Sequence, residues 1–202
     1  MSGASSPSRA GSGAAFEVVA VAASAGGVVG VGRLLADLKR DFPVPLLIVQ
    51  HLDPRHETVI ADVLGRRSAL RVKLAEDGER VEAGTAYVAP PDRHLLVGAE
   101  GVLSLTHSEL VHFVRPSADL LFESVAGAYG DRAIACLLTG TGRDGAMGVT
   151  AVHGRGGTVI VEDPETAEFS GMPKAAIETG EVDFVLPLAE IAAVMTDLVG
   201  TR

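Results

Sequence analysis

Three residues of this chain offer a hydroxyl, an imidazole and a carboxylate at equivalent places. Ser24 lies in AASAGG, His51 in VQHLDP and Asp144 in LLTGTGRDGAMG. Each follows a short apolar run. A serine hydroxyl is a weak nucleophile at neutral pH until a base takes its proton. Histidine can do this, and a buried aspartate can hold the ring in one tautomer. Gly26 and Gly27 permit a tight turn and close backbone approach to a ligand. A helix starting there would aim N–H groups and the positive end of its dipole at a developing oxyanion. Plainer readings stand beside these. Ser24 and Asp144 could each be helix N-caps, and His51 a satisfied structural histidine. Ser24-Ala25-Gly26-Gly27 also reads as a loose phosphate-cradling loop, although it misses the dinucleotide fingerprint and no GK[ST] sequence occurs. The conjunction of all three residues at separate strand ends is what points to a serine hydrolase.

The elements that must position these residues alternate along the chain. Phe16–Ala22 reads as a buried strand, followed by a helix from Val28 to Lys39-Arg40. Pro45–Gln50 is a second strand, and His56–Leu70 a helix. Arg71–Ala75 and Thr85–Ala89 are strands, and 94–97 with 102–106 form a β-hairpin. Arg115-Pro116-Ser117 opens a helix reaching Tyr129, and Ala133–Leu138 is a buried strand. The Gly-rich turn 139–148 runs into a helix, and Gly157–Val161 is a strand. An acidic loop over 162–169 is followed by a helix from Met172 to Thr179, a strand from Val182 to Leu186 and a closing helix over Pro187–Val199. This alternation predicts an α/β fold: a doubly wound, mainly parallel sheet with helices on both faces and an added antiparallel hairpin. In such sheets sites form beyond the carboxyl ends of the strands, where Ser24, His51 and Asp144 fall.

Composition narrows the function. The 202 residues suit one domain over 16–202, preceded by a Ser/Gly-rich tail over 1–15. A net charge of −9 argues against nucleic acid and against docking on anionic membranes. No run is apolar for long enough to insert in a membrane, and the first fifteen residues lack a signal peptide's apolar segment. The single cysteine, Cys136, sits in a buried strand and fits a reducing, cytoplasmic compartment. The six histidines form no tight ligand pair, so neither a metal nor a cofactor is expected. His94 and His107 read as surface residues beside the hairpin. Arg66, Arg67, Arg71 and Lys73 read as a solvated basic face, and Glu162, Asp163, Glu165 and Glu168 as a solvated acidic loop.

Taken in order, VVAVAASAGG, LLIVQHL, AEDGERVEAGTAYVAPPDRHLLV, VRPSADLLFESVA, ACLLTGTGRDGAMG and EFSGMPKAAIETG resemble the catalytic domain of the chemotaxis protein-glutamate methylesterases, the CheB family. The resemblance runs from about Phe16 to Val199. It implies that Ser24, His51 and Asp144 form a Ser–His–Asp triad. Backbone groups of Ala25, Gly26, Gly27 and Thr141 would support the oxyanion, and Arg115, in the VRPS match, would line the substrate groove. The implied reaction is hydrolysis of glutamate methyl esters on chemoreceptor-type proteins, with deamidation of receptor glutamines as a second activity.

Three departures qualify the resemblance. The family's Ser-Thr-Gly-Gly is Ser-Ala-Gly-Gly here, so a hydroxyl beside Ser24 is lost. Thr141 replaces the Met of the family's Gly-Met-Gly-x-Asp-Gly, which changes an apolar lining but keeps a backbone N–H. The family's usual N-terminal receiver domain has no counterpart in the first fifteen residues, which leaves two readings open: a catalytic domain that stands alone, with a separate receiver-type regulator as partner, or a piece of a longer chain that carries the receiver. The competing reading is a non-catalytic signalling module of the same fold that binds a receptor or regulator.

Overall fold

The computed structural model describes residues 16–51 and 58–200. The expected tail over 1–15 lies outside the described residues. Seven strands make one sheet in the order β3-β4-β2-β1-β7-β8-β9. They are β1 (Val18–Ala23), β2 (Leu46–Gln50), β3 (Arg71–Leu74), β4 (Thr85–Val88), β7 (Ala133–Leu137), β8 (Thr158–Glu162) and β9 (Phe184–Leu186). Every pairing in this sheet is parallel. The expected hairpin forms as β5 (His94–Val97) and β6 (Leu103–Thr106), in a two-stranded antiparallel sheet of its own.

The period of two along β1 explains the layers. Val18, Ala20 and Ala22 point to one core, and Val19, Val21 and Ala23 to the other. The first core packs against α3 (Ala118–Tyr129), α4 (Ala146–Gly154), α5 (Gly171–Ile177) and the hairpin, through Leu121, Phe122, Val149, Met172 and Leu95. The second packs against α1 (Gly27–Asp37), α2 (Ile60–Gly65) and α6 (Leu188–Gly200), through Val31, Leu35, Leu64, Ile191 and Met195. β1 and β7 are wholly buried, as a parallel sheet covered on both faces requires.

One expectation changes. The helix expected over His56–Leu70 is described only at Ile60–Gly65, and 52–57 lie outside the described residues. It stops early because Ser68 turns the chain. The Ser68 N–H donates to Gly65 O at 3.3 Å and its Oγ accepts from Leu70 N at 3.1 Å, a local alternative to helical bonding. The hairpin, added as expected, packs on α3, where Val97 N donates to Ser124 Oγ at 3.1 Å. Among the described residues no helix is long and apolar enough to cross a membrane.

Candidate active site

The sheet order reverses at β1. The chain first builds outward through β2, then returns to place β7 on the other side of β1. The crevice at such a reversal, beyond the carboxyl ends of the strands, is the usual binding place in doubly wound sheets. Ser24 and His51 are the first residues beyond β1 and β2, whose last register pair is Ala23 with Gln50. The His51 N–H donates to Ala23 O at 3.2 Å, so the two residues leave the sheet side by side.

The plainer cap readings do not hold. The N-cap position of α1 is Gly26, with φ of 74°, and no side chain caps that helix. Ser24 Oγ therefore stays out of the helix and has no hydrogen bond to a described residue. The N-cap position of α4 is Gly145, again with no side-chain cap. Asp144 instead reaches across to the start of α3. Its Oδ1 accepts from Ser117 Oγ at 2.8 Å and Asp119 N at 3.3 Å, and its Oδ2 from Ala118 N at 2.6 Å.

The same Oδ2 meets His51 Nε2 at 2.9 Å. Burial alone would push the Asp144 carboxyl up. The hydrogen bonds from His51, Ala118 N and Ser117 outweigh it and hold the group below the usual carboxylate range. Asp144 is therefore ionised and acceptor-only, so His51 Nε2 carries the proton it donates. That leaves Nδ1 unprotonated in the neutral ring, ready to take a proton from a hydroxyl. The expected imidazole–carboxylate contact is present. The expected hydroxyl–imidazole hydrogen bond is not made, a contact that commonly tightens only with substrate.

Gly140, the third residue past β7, forms the wall opposite His51. A Cβ there would lie 2.9 Å from the Ser24 Cβ and 2.2 Å from Met172 Sδ, so only glycine allows this approach. Its own N–H is used by Phe169 O at 2.9 Å. The N–H groups of Ala25, Gly26 and Thr141 have no acceptor among the described residues, and they border the Ser24 turn and the Gly140 wall. The Gly27 N–H, expected to support an oxyanion, donates to Ser24 O at 2.9 Å instead. Gly27 serves by packing: a Cβ would lie 2.0 Å from Gln50 Oε1.

Arg115, expected along the substrate groove, has its guanidinium engaged. Nε and Nη2 donate to Asp92 Oδ1 at 2.8 and 2.6 Å, and Nη1 to Ser108 O at 2.5 Å. The guanidinium, with His107 behind it, holds the Asp92 carboxyl below its ordinary range.

Several supporting residues were missed or misplaced by sequence. His94 is fully buried, not a surface residue. Its Nδ1 accepts from Ser117 N at 3.1 Å and its Nε2 donates to Glu109 O at 3.0 Å, so the neutral tautomer braces the residue that caps Asp144. Burial pushes its imidazole down. Glu162 is buried, not part of a solvated acidic loop. Its Oε2 accepts from Thr139 N at 2.7 Å, while burial pushes the carboxyl up. Lys73, placed on a solvated basic face, pairs with Glu76 and Glu79 at 2.7 Å each. A strand-end position was the signal for both: Glu162 closes β8 in the sheet covered on both faces, and His94 opens β5, which packs on α3. Ligand atoms of His112, Asp119 and Asp144 come within 4.8 Å of one another. Their carboxylate oxygens already accept protein hydrogen bonds, which a cation would have to displace.

Comparison with known proteins agrees with this fold. The family model described as CheB methylesterase matches residues 19–195. A relative from Leptospira interrogans is 39% identical over 177 residues, covering 88% of this chain and 92% of its own length. A Myxococcus xanthus protein-glutamate methylesterase/protein-glutamine glutaminase is 42% identical over 179 residues, but this chain spans only 51% of its length. The crystal structure of the Thermotoga maritima CheB methylesterase catalytic domain superposes with a TM-score of 0.88 at 39% identity, over 92% of this chain and 100% of that one. With the fold, the reversal at β1 and nearly the whole sequence in agreement, this chain belongs to the CheB methylesterase family.

Proposed function

We propose that residues 16–202 act as a serine hydrolase that removes methyl esters from glutamate side chains of chemoreceptor-type proteins, and that deamidates glutamines at the same site. The observation that carries this is the 2.9 Å bond from His51 Nε2 to the buried Asp144, beside a Ser24 that no helix uses as a cap. Ser24 Oγ attacks the ester carbonyl while His51 Nδ1 takes its proton. The tetrahedral oxyanion is received by backbone N–H groups at Ala25, Gly26 and Thr141. His51 then gives the proton to the departing methanol, and Asp144 stabilises the imidazolium in between. Water attacks the resulting acyl-enzyme by the same route and frees the glutamate. A glutamine amide would follow the same steps with ammonia as leaving group. Arg115 enters this reading as a tie that fixes the approach to Ser117, not as a free cation meeting substrate.

The family relationship and the single buried Cys136 support a cytoplasmic setting. The test is methanol release from a methylated receptor fragment together with labelling by a fluorophosphonate. Both should occur with the wild-type chain and vanish in Ser24→Ala. Binding of the fragment with neither methanol nor label would instead establish a non-catalytic module, for which the Ala25 and Thr141 departures would be the reason.

A further inference from the structure

Gln50 is the last residue of β2, and its side chain is buried. Its Nε2 donates to Ser24 O at 2.8 Å and to His51 O at 3.0 Å. One amide group thus uses both of its hydrogens on the main chains of the two residues that leave β1 and β2. The ladder between those strands ends at Ala23 and Gln50, apart from the single His51 N–H bond to Ala23 O. Beyond that point the twist of the sheet would let the two chains diverge. The amide closes the gap.

The orientation of this amide is set by its surroundings. Turned over, Oε1 would face two carbonyl oxygens, with no hydrogen to share. As placed, Oε1 has no hydrogen-bond partner among the described residues, although it is buried. It lies against the bare Cα of Gly27, where any Cβ would stand 2.0 Å away. A buried amide oxygen left unpaired costs free energy, so its retention calls for a compensating role elsewhere in the same group.

We infer that Gln50 is a positioning residue of the hydrolytic site, setting the distance between the Ser24 nucleophile and the His51 base by bridging their carbonyls. This rests on the reading of Ser24 and His51 as nucleophile and base. Gln50 touches neither substrate nor the reacting atoms. It acts through two backbones whose side chains must meet when substrate binds. Gly27 is the second half of the device, because it makes room for the unpaired oxygen and adds its own N–H to Ser24 O at 2.9 Å.

Gln50→Met keeps the volume and removes both donors. Gln50→Glu keeps the shape and sets a carboxylate against two carbonyls. Active sites are counted by fluorophosphonate titration, and kcat is expressed per titrated site. The expected result is a fall of about 10²-fold in kcat for Gln50→Met and a larger one for Gln50→Glu, with KM within about twofold of wild type. A structural role alone would lower the count of sites and leave kcat per site unchanged, and that result would overturn the inference. Should Gln50→Met fail to fold, Gly27→Ala approaches from the other side by driving a Cβ into Oε1, and the same split between kcat and KM is required of it. If the wild-type chain neither labels nor releases methanol, the hydrolase reading itself fails, which is a different outcome from an active wild type with an equally active Gln50→Met.

Discussion

Asp119 and Asp144 serve each other's helices. Asp144 precedes α4 but accepts the N–H groups of Ala118 and Asp119 at the start of α3. Asp119 lies in α3 but accepts the N–H groups of Gly145 and Gly148, at 3.0 and 2.7 Å, at the start of α4. Each carboxylate meets the positive end of the other's helix. The exchange locks the turn that carries Asp144 to the helix that receives it.

Asp144 therefore has a structural duty besides the chemical one proposed for it, and two substitutions separate them. Asp144→Asn keeps one oxygen to accept from Ser117 and Asp119 but turns a donor amide towards both His51 and the Ala118 N–H. It should lower kcat about 10⁴-fold, with a smaller fall in melting temperature than Asp144→Ala. Asp144→Ala strips acceptors from Ser117, Ala118 and Asp119 together and should also cost about 3 kcal/mol of stability, read from urea unfolding. Equal melting temperatures for the two variants would contradict the capping role.

Ser24→Ala removes a hydroxyl that no described residue binds. The fold should be untouched, and methanol release should fall by a factor on the order of 10³–10⁶. Unchanged turnover in a pure sample would remove Ser24 from the mechanism.

Gly140→Ala should be nearly as damaging as a change at Ser24 itself. Met172 can bend its thioether away from the new methyl, but the Ser24 Cβ at 2.9 Å cannot yield without moving the proposed nucleophile. The rate of fluorophosphonate labelling is the measurement, and a drop of about 10²-fold is expected. A wild-type labelling rate would show that the wall gives way.

His94 makes stability depend on pH. Its imidazole is pushed down by burial, while in the unfolded chain it titrates near the ordinary value of about 6.5. The unfolded state therefore binds the proton first. The contribution of the neutral ring is complete above about pH 6.5 and is lost as pH falls from there towards the lowered folded value. The urea midpoint should drop between pH 7.5 and 5.5 by more in wild type than in His94→Gln. Parallel drops would assign the acid sensitivity to other groups.

Much of this was legible in the sequence, for definite physical reasons. Strand runs such as VVAVAA and LLIVQ are short, apolar and bounded by glycine or proline, so the alternation with helices was visible. Ser24, His51 and Asp144 were legible because a parallel sheet puts all its carboxyl ends on one edge. Their supports were not. Gln50 reads as one more strand residue, and its bridge depends on where the neighbouring strand stops. His94 and Asp119 owe their roles to contacts between elements, and Asp119 is 26 positions from the Gly145 it caps. Glu162 looked solvated because its neighbours are acidic, whereas its own position is the buried end of β8.

The position of β1 at the centre of the sheet also imposes an order in time. Its first partner, β2, follows within the same stretch of chain, but its second, β7, pairs Val18 with Ala133. Asp144 stands 93 residues beyond the histidine it is hydrogen-bonded to. Until β7 has been synthesised, one flank of the central strand is bare and at most Ser24 and His51 can come together. Asp144 joins them only once β7 and the turn after it are in place, with β8, β9 and α6 still to cover the remaining core.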